Sequence, residues 1–212
     1  MAGVLGAGFG AGLTALLYPG ASGIDAMPSV NVSALPTAAP DRYENTQLYK
    51  LALTAASAVY RADFASLSEL THPERGCLFA PFSTVDKTKN QTLMPGQIKA
   101  ISGSSEEYIW GVSDQTDQPI SLTGEGFFRE YLQIRDFSAA PAAGFGTVLR
   151  TGNAIENVLA EYPEEYMVDL YFPGERTEGA VRTDWASLKF VFGEYGDALK
   201  LVAIVRSVYT EQ

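Results

Sequence analysis

The stretch that decides the fold lies near the end of the chain, where residues 185–211 read WASLKFVFGEYGDALKLVAIVRSVYTE. Apolar residues recur at every second position on both sides of a turn at residues 195–197, a period typical of β-strands. The alternating sets are Leu188, Phe190 and Phe192 against Ser187, Lys189 and Val191, then Leu201, Ala203 and Val205 against Val202, Ile204 and Arg206. Both faces are rather apolar, so we expect a long C-terminal hairpin that lies centrally in a sheet, with a helix on one side.

A helical pattern dominates the region upstream. In residues 44–70 apolar side chains recur at steps of three and four, which form one face of a helix. Asp63, with Ser66 three residues later, is a good N-cap, so this is one long helix or two helices with a break near residues 61–63. Pro73 ends the pattern and favours an extended or turn conformation for His72.

Shorter segments lie between these regions. Residues 106–114 alternate at period two and predict a strand, whereas a helix is expected to start near Thr123. Residues 140–146, APAAGFG, predict a loop, and Asn153 is expected to cap a short helix. Helices come first and long antiparallel strands last, so we predict an α+β fold with N-terminal helices packed on a curved, cone-like antiparallel sheet.

Composition excludes several classes of function. The formal net charge of −10 and the lack of a basic run weigh against a nucleic-acid partner. The one cysteine, Cys77, cannot form an intramolecular disulfide, and its apolar neighbours predict a buried thiol. One histidine and scattered carboxylates give no metal-ligand spacing, and GAGFGAG near the start lacks the strand that a dinucleotide loop needs. We therefore expect no metal and no cofactor.

The chain divides into three parts by composition. Residues 1–24 carry no charge and resemble the apolar part of an export signal, although the positively charged front end is missing. Residues 25–42 are rich in Pro, Ala and Ser and predict an extended linker. A single α+β domain follows over residues 43–212.

We expect an extracytoplasmic protein, either secreted or held in the periplasm or cell envelope. The alternative is that the glycine-rich segment packs within the protein. Contact with a membrane is expected only through this segment, if it stays uncleaved. The segment is too short for a transmembrane helix, which needs about 20 apolar residues.

Two stretches carry a family resemblance. The long helix followed by ADFASLSELTHPERG, residues 62–76, and the terminal SLKFVFGEYGDALKLVAIVRS resemble the ketosteroid isomerase and nuclear transport factor (SnoaL-like) superfamily. The positions that carry it are Ala62, Asp63, Phe64, Leu67, Leu70, His72 and Pro73. The resemblance covers residues 43–212 and implies a cone-shaped pocket between helix and sheet. The chain also resembles exported bacterial proteins without an established activity. The superfamily includes isomerases, dehydratases and hydrolases as well as non-catalytic modules, so the fold does not settle the role.

Candidate residues follow from chemistry and position. His72 and Asp169 are the candidate acid–base groups, since either could serve a reaction inside the cone. His72 could instead complete the end of a helix, by satisfying carbonyl groups or by stacking on the next aromatic segment.

The candidate ligand-binding residues are aromatic: Tyr60, Trp110, Tyr171 and Trp185. An apolar pocket would gather such rings, and the alternative is that they are ordinary core residues. We expect a non-catalytic exported domain that binds a small apolar ligand, a peptide or a cell-wall component, or that forms a homodimer through its sheet. The alternative is a small-molecule isomerase, dehydratase or hydrolase that uses a carboxylate or the histidine.

Overall fold

The computed structural model describes residues 43–113, 116–152, 154–178 and 181–209, all of which belong to one compact unit. The predicted export segment and linker, residues 1–42, lie outside the described residues, as does the predicted cap Asn153. The described part combines helices with a mostly antiparallel sheet that does not close on itself, which confirms the α+β class.

The elements follow one another in this order. The α-helices are α1 (Asn45–Tyr60), α2 (Phe64–Leu70), α3 (Pro95–Lys99), α4 (Gly124–Phe127) and α5 (Val158–Glu161). A π-helical turn (Phe128–Leu132) continues α4, and a 3-10 turn spans Phe137–Ala139. The strands are β1 (Cys77–Ala80), β2 (Gln91–Leu93), β3 (Glu107–Val112), β4 (Pro119–Thr123), β5 (Ala142–Phe145), β6 (Tyr166–Phe172), β7 (Thr177–Glu178), β8 (Val181–Arg182), β9 (Ala186–Tyr195) and β10 (Ala198–Val208).

Six strands form the main sheet in the order β2-β1-β10-β9-β6-β5. β1 pairs parallel to β10, with Leu78 opposite Ala203, and the other neighbours are antiparallel. The strands β3 and β4 pair separately, as do β7 and β8. The last strand of the chain, β10, therefore lies inside the sheet, between β1 and β9.

Of the two alternatives that the sequence left open, one long helix or two helices, the structure has two helices. α1 ends at Tyr60, Ala62 adopts a positive φ of 54°, and α2 begins at Phe64. Asp63 caps α2, because its carboxylate accepts a hydrogen bond from the backbone N–H of Ser66 at 3.0 Å. The small buried residues of α1, including Ala52 and Ala55, let this helix approach the sheet closely.

The main core lies between the helices and one face of the sheet. It includes the apolar residues of β9 that alternate at period two, together with β6 and rings from α4 and the π-helical turn. The opposite face is also covered: Val158 and Tyr162, in and just after α5, pack against Met167, Val191 and Val205 in a second apolar cluster. The sheet is thus buried on both sides, which explains why both faces of the last strands are apolar.

Two predicted elements differ from the structure. The short helix expected directly after Asn153 begins only at Val158, as α5. Residues 142–145, expected in a loop, form the edge strand β5, which pairs with β6. Gly144 makes this possible, since a Cβ atom at that position would lie 2.6 Å from the carbonyl oxygen of Thr147. In the part of the chain that the structure describes, no helix has the length and apolar character needed to cross a membrane.

Candidate functional site

His72 lies in the turn that follows α2, and its side chain is buried. Its backbone N–H donates to the carbonyl of Leu201 at 2.9 Å, which fixes the turn on β10. The ring nitrogen Nδ1 accepts hydrogen bonds from the backbone N–H groups of Glu74 at 3.2 Å and Arg75 at 3.1 Å. The ring also makes an edge contact with Tyr195. Every one of these contacts orders the turn, and Nδ1 is not available to a substrate in this arrangement.

Asp169 lies in β6 and is fully buried on the sheet face opposite α1. One carboxylate oxygen accepts a hydrogen bond from the Ser187 hydroxyl, and the other accepts from the backbone N–H of Leu149 at 2.9 Å. The carboxylate therefore ties β6 to β9 and to the segment after β5. Its two oxygens are both engaged in holding the fold.

A buried polar cluster continues from Asp169 along the same face. The ammonium of Lys189 donates to the hydroxyl of Ser207 at 2.5 Å and forms an ion pair with Glu156 at 2.8 Å. The hydroxyl of Ser83 donates to Ser207 at 2.9 Å. We call Ser83, Glu156, Lys189 and Ser207 the lysine cluster. The sequence pattern did not single out these residues.

Trp110 and the other predicted ligand-binding rings do not form one group. Trp110 is fully buried and stacks on Phe127, with ring centroids 4.0 Å apart and planes 5° from parallel. Its indole N–H donates to the carbonyl of Leu122 at 2.9 Å. This geometry gives Trp110 a core role, which matches the alternative that the sequence left open.

Tyr171 and Trp185 do come together, with ring centroids 6.3 Å apart. Trp185 is buried and lies under the guanidinium of Arg150. Tyr60 is separate from both: it is the last residue of α1 and is 45% exposed. Its position next to Arg61 nevertheless places it beside an opening in the helix layer.

That opening is a hollow of about 450 Å³ between α1, the start of α2 and the 3-10 turn. We call it the helix-layer hollow. Its polar lining consists of Thr54, Ser57, Arg61, Asp63, Ser66 and Ser138. Two apolar residues of α1 complete it. The break between the two helices forms the hollow, because Arg61 and Asp63 flank the turn at which the chain changes direction.

Hydrogen bonds within the protein determine what this lining offers. The hydroxyls of Thr54, Ser66 and Ser138 each donate to a neighbouring oxygen, at 2.8, 2.6 and 2.6 Å. Their remaining lone pairs can accept hydrogen bonds, while the exposed guanidinium of Arg61 supplies donors. The hydrogen bonds from the side chain and backbone of Ser66 lower the pKa of Asp63, so this carboxylate is ionised at neutral pH. The hollow therefore presents one positively charged group, one negatively charged group and several hydrogen-bond acceptors.

Two further side chains with reactive groups, Cys77 and Asp184, have structural roles. Burial raises the pKa of the Cys77 thiol, so Cys77 is a protonated core residue as predicted. Asp184 accepts hydrogen bonds from the backbone N–H groups of Glu175 and Arg176, as expected for a residue that caps a turn. Among the described residues, no group of three His, Cys, Asp or Glu side chains is placed to hold a metal ion.

No family model, curated protein or solved structure matches the chain.

Proposed function

We propose that this chain is a non-catalytic binding domain whose ligand occupies the helix-layer hollow. The observation that carries the proposal is the hollow itself: one open space brings together serine and threonine hydroxyls, a carboxylate and a guanidinium. Binding sites combine a concave shape with a few directed polar groups, and this lining meets that description.

The lining favours a polar ligand over an apolar one. The rings that suggested an apolar ligand are used elsewhere, since Trp110 is stacked in the core and Trp185 is buried. A short peptide or a hydroxyl-rich cell-wall fragment could match Arg61 and Asp63 with its own charges, and Thr54 and Ser138 with its N–H or O–H donors. An apolar ligand would take water away from the Arg61 guanidinium and the Asp63 carboxylate and would offer the remaining lone pairs of the hydroxyls no hydrogen bond.

An enzymatic role receives less support. In the present arrangement Nδ1 of His72 accepts two backbone N–H groups, and both oxygens of Asp169 accept hydrogen bonds from the protein. A base has to reach the proton that it removes, and these polar atoms already hold the fold. The isomerase, dehydratase or hydrolase alternative remains a prediction for these two residues.

We propose export and membership of the ketosteroid isomerase-like superfamily on the sequence features alone. The apolar residues 1–24 support an extracytoplasmic location, in the cell envelope or outside the cell. A homodimer formed through the sheet is a further proposal, which sedimentation of the purified chain would test.

The binding proposal is tested by titrating the ¹⁵N-labelled chain with short peptides and cell-wall oligosaccharides while its amide spectrum is recorded. We expect a bound ligand to shift amides in the second half of α1, the start of α2 and the 3-10 turn. Ser57→Tyr fills the hollow and should abolish these shifts. Gln47→Tyr adds the same ring to an exposed position of α1 outside the lining and serves as the matched control.

Two results would count against the proposal. Shifts that survive Ser57→Tyr would place the ligand elsewhere. Turnover of an ester, lactone or enone substrate that is lost in a His72 or Asp169 variant would favour the enzymatic alternative.

A further inference from the structure

Lys189 is fully buried, although lysine side chains are almost always exposed. It lies in the middle of β9, with Asp169 of β6 and Val205 of β10 as its register partners. Burying an ammonium group without a counter-ion costs several kcal/mol, so the position of its partner matters.

The partner does not come from the sheet. Asp169 is the register neighbour, but its carboxylate is used by Ser187 and by the backbone of Leu149. Within the described residues, the carboxylate that neutralises Lys189 is that of Glu156, with Nζ and Oε2 2.8 Å apart. The same oxygen lies 3.4 Å from the hydroxyl of Ser207.

Glu156 belongs to residues 154–157, which contain neither helix nor strand and lead into α5. Outside the lysine cluster, three hydrogen bonds between described residues tie this segment to residues 84 and 85. The side chain of Asn157 exchanges two hydrogen bonds with the backbone of Val85, at 2.7 and 2.9 Å. The hydroxyl of Thr84 donates to the carbonyl of Ile155, whose own side chain is 73% exposed.

The remaining groups of the cluster do not depend on that segment. Lys189 and Ser207 lie in paired central strands, and Ser83 follows β1, which pairs with β10. The ammonium of Lys189 and the hydroxyl of Ser207 therefore converge on the carboxylate from the sheet, while the hydroxyl of Ser83 donates to Ser207 and holds it in place. A positive charge beside a hydroxyl donor in a dry environment is well suited to hold a carboxylate.

We infer that the sheet carries a carboxylate-binding site formed by Lys189 and Ser207, with Ser83 supporting Ser207, in which Glu156 is the resident occupant. A small molecule with a carboxylate group takes this site by displacing Glu156, and residues 154–157 then move away from the sheet. The site lies on the face opposite α1, so the inference does not depend on a ligand in the helix-layer hollow.

The first experiment removes the resident group. Glu156→Ala in the full chain leaves space beside Lys189, and acetate should then raise Tm saturably, by about 3–6 °C at a tenfold excess over its dissociation constant. Acetamide has the same shape without the charge and should have no such effect. Sodium chloride controls for ionic strength. In the double variant Glu156→Ala/Lys189→Met, the response to acetate should be lost.

The second experiment uses the unaltered protein and does not require a variant to fold. Acetate in large excess should increase hydrogen exchange at the described amides of residues 154–157 and leave β9 protected, whereas acetamide should change neither. Unchanged exchange would overturn the inference and make Glu156 a permanent structural partner. An equal effect of acetate and acetamide on the Tm of the Glu156→Ala variant would also overturn it.

Discussion

The ion pair between Glu156 and Lys189 makes a quantitative prediction about stability. At 2.8 Å and an effective dielectric constant of about 20, the attraction is about 6 kcal/mol before desolvation is subtracted. Both side chains are buried, with exposed fractions of 9% for Glu156 and 0% for Lys189, so solvent screens the pair little. Glu156→Gln keeps the shape but leaves the ammonium without a counter-ion. We expect a loss of about 3–5 kcal/mol in the free energy of unfolding.

Removing Lys189 should lower the free energy of unfolding by less than removing the charge of Glu156. In Lys189→Met the unpaired group is Glu156, which lies in a segment without regular structure and can turn towards water. The double variant Glu156→Gln/Lys189→Met should be more stable than the single variant Glu156→Gln, because no buried charge remains unpaired. The coupling between the two sites is measured by urea unfolding of all four proteins in a double-mutant cycle.

One result would refute this reasoning. The result would be a loss of less than about 1 kcal/mol in the free energy of unfolding for Glu156→Gln, with effects of Glu156→Gln and Lys189→Met that are additive. The ammonium of Lys189 would then be solvated in solution or have another partner. The amplitude and slope of the unfolding transitions serve as the control, since a changed slope would mean that a variant alters the compactness of one of the two states.

Three further predictions concern the positions that the sequence singled out. Trp110→Ala should lower the free energy of unfolding by about 3–5 kcal/mol in urea, whereas Tyr60→Ala at the exposed end of α1 should change it by less than about 0.5 kcal/mol. Equal effects would contradict the core placement of Trp110. His72→Ala removes an acceptor of two backbone N–H groups and should cost about 1–3 kcal/mol without altering ligand-induced shifts in the hollow; lost binding with unchanged stability would point to a direct role. Hydrogen bonds from Ser66 lower the pKa of Asp63, so its contribution to stability is complete above the unfolded-state pKa and is lost as pH falls through the lower folded-state pKa. Asp63→Ala should therefore flatten the acid limb of a plot of Tm against pH, and an unchanged limb would contradict this.

Local chemistry made the helical region predictable. The break near residues 61–63 follows from one short-range interaction, the capping of α2 by Asp63, and that interaction is visible in sequence. The strands β3, β9 and β10 were likewise indicated by their apolar period. The edge strand β5 was missed because its small residues, Ala142 to Gly144, carry little strand preference and its pairing with β6 is a long-range contact.

The lysine cluster could not be predicted for a different reason. Lys189 and Ser187 occupy alternate positions of β9, and polar residues at period two usually face water. The structure buries them because Glu156 and residues near α5 cover that face, which is a tertiary effect. The unusually apolar neighbours Val191 and Val205 were the available signal that the second face is also buried.

The helix-layer hollow was also beyond prediction from sequence. Its lining joins α1 and α2 to Ser138, which lies more than 70 residues further along the chain. Serine and threonine on an exposed helix face look like solubilising residues unless the third element is known. Asp63 lines the hollow but was predicted only as a helix cap, and Tyr60 is the predicted ligand-binding residue that comes nearest to the lining in sequence. The aromatic pattern that suggested Tyr60 did not extend to these hydroxyls.

The interior position of β10 has a consequence for synthesis of the chain. β1 gains its parallel neighbour only when residues 198–208 have left the ribosome, more than 100 positions after β1 itself. Until then the sheet exists at most as two separate pieces, β2 with β1 and β9 with β6 and β5. Nascent chains halted before β10 should therefore stay sensitive to protease throughout, and release of the last strand should protect both pieces in a single step.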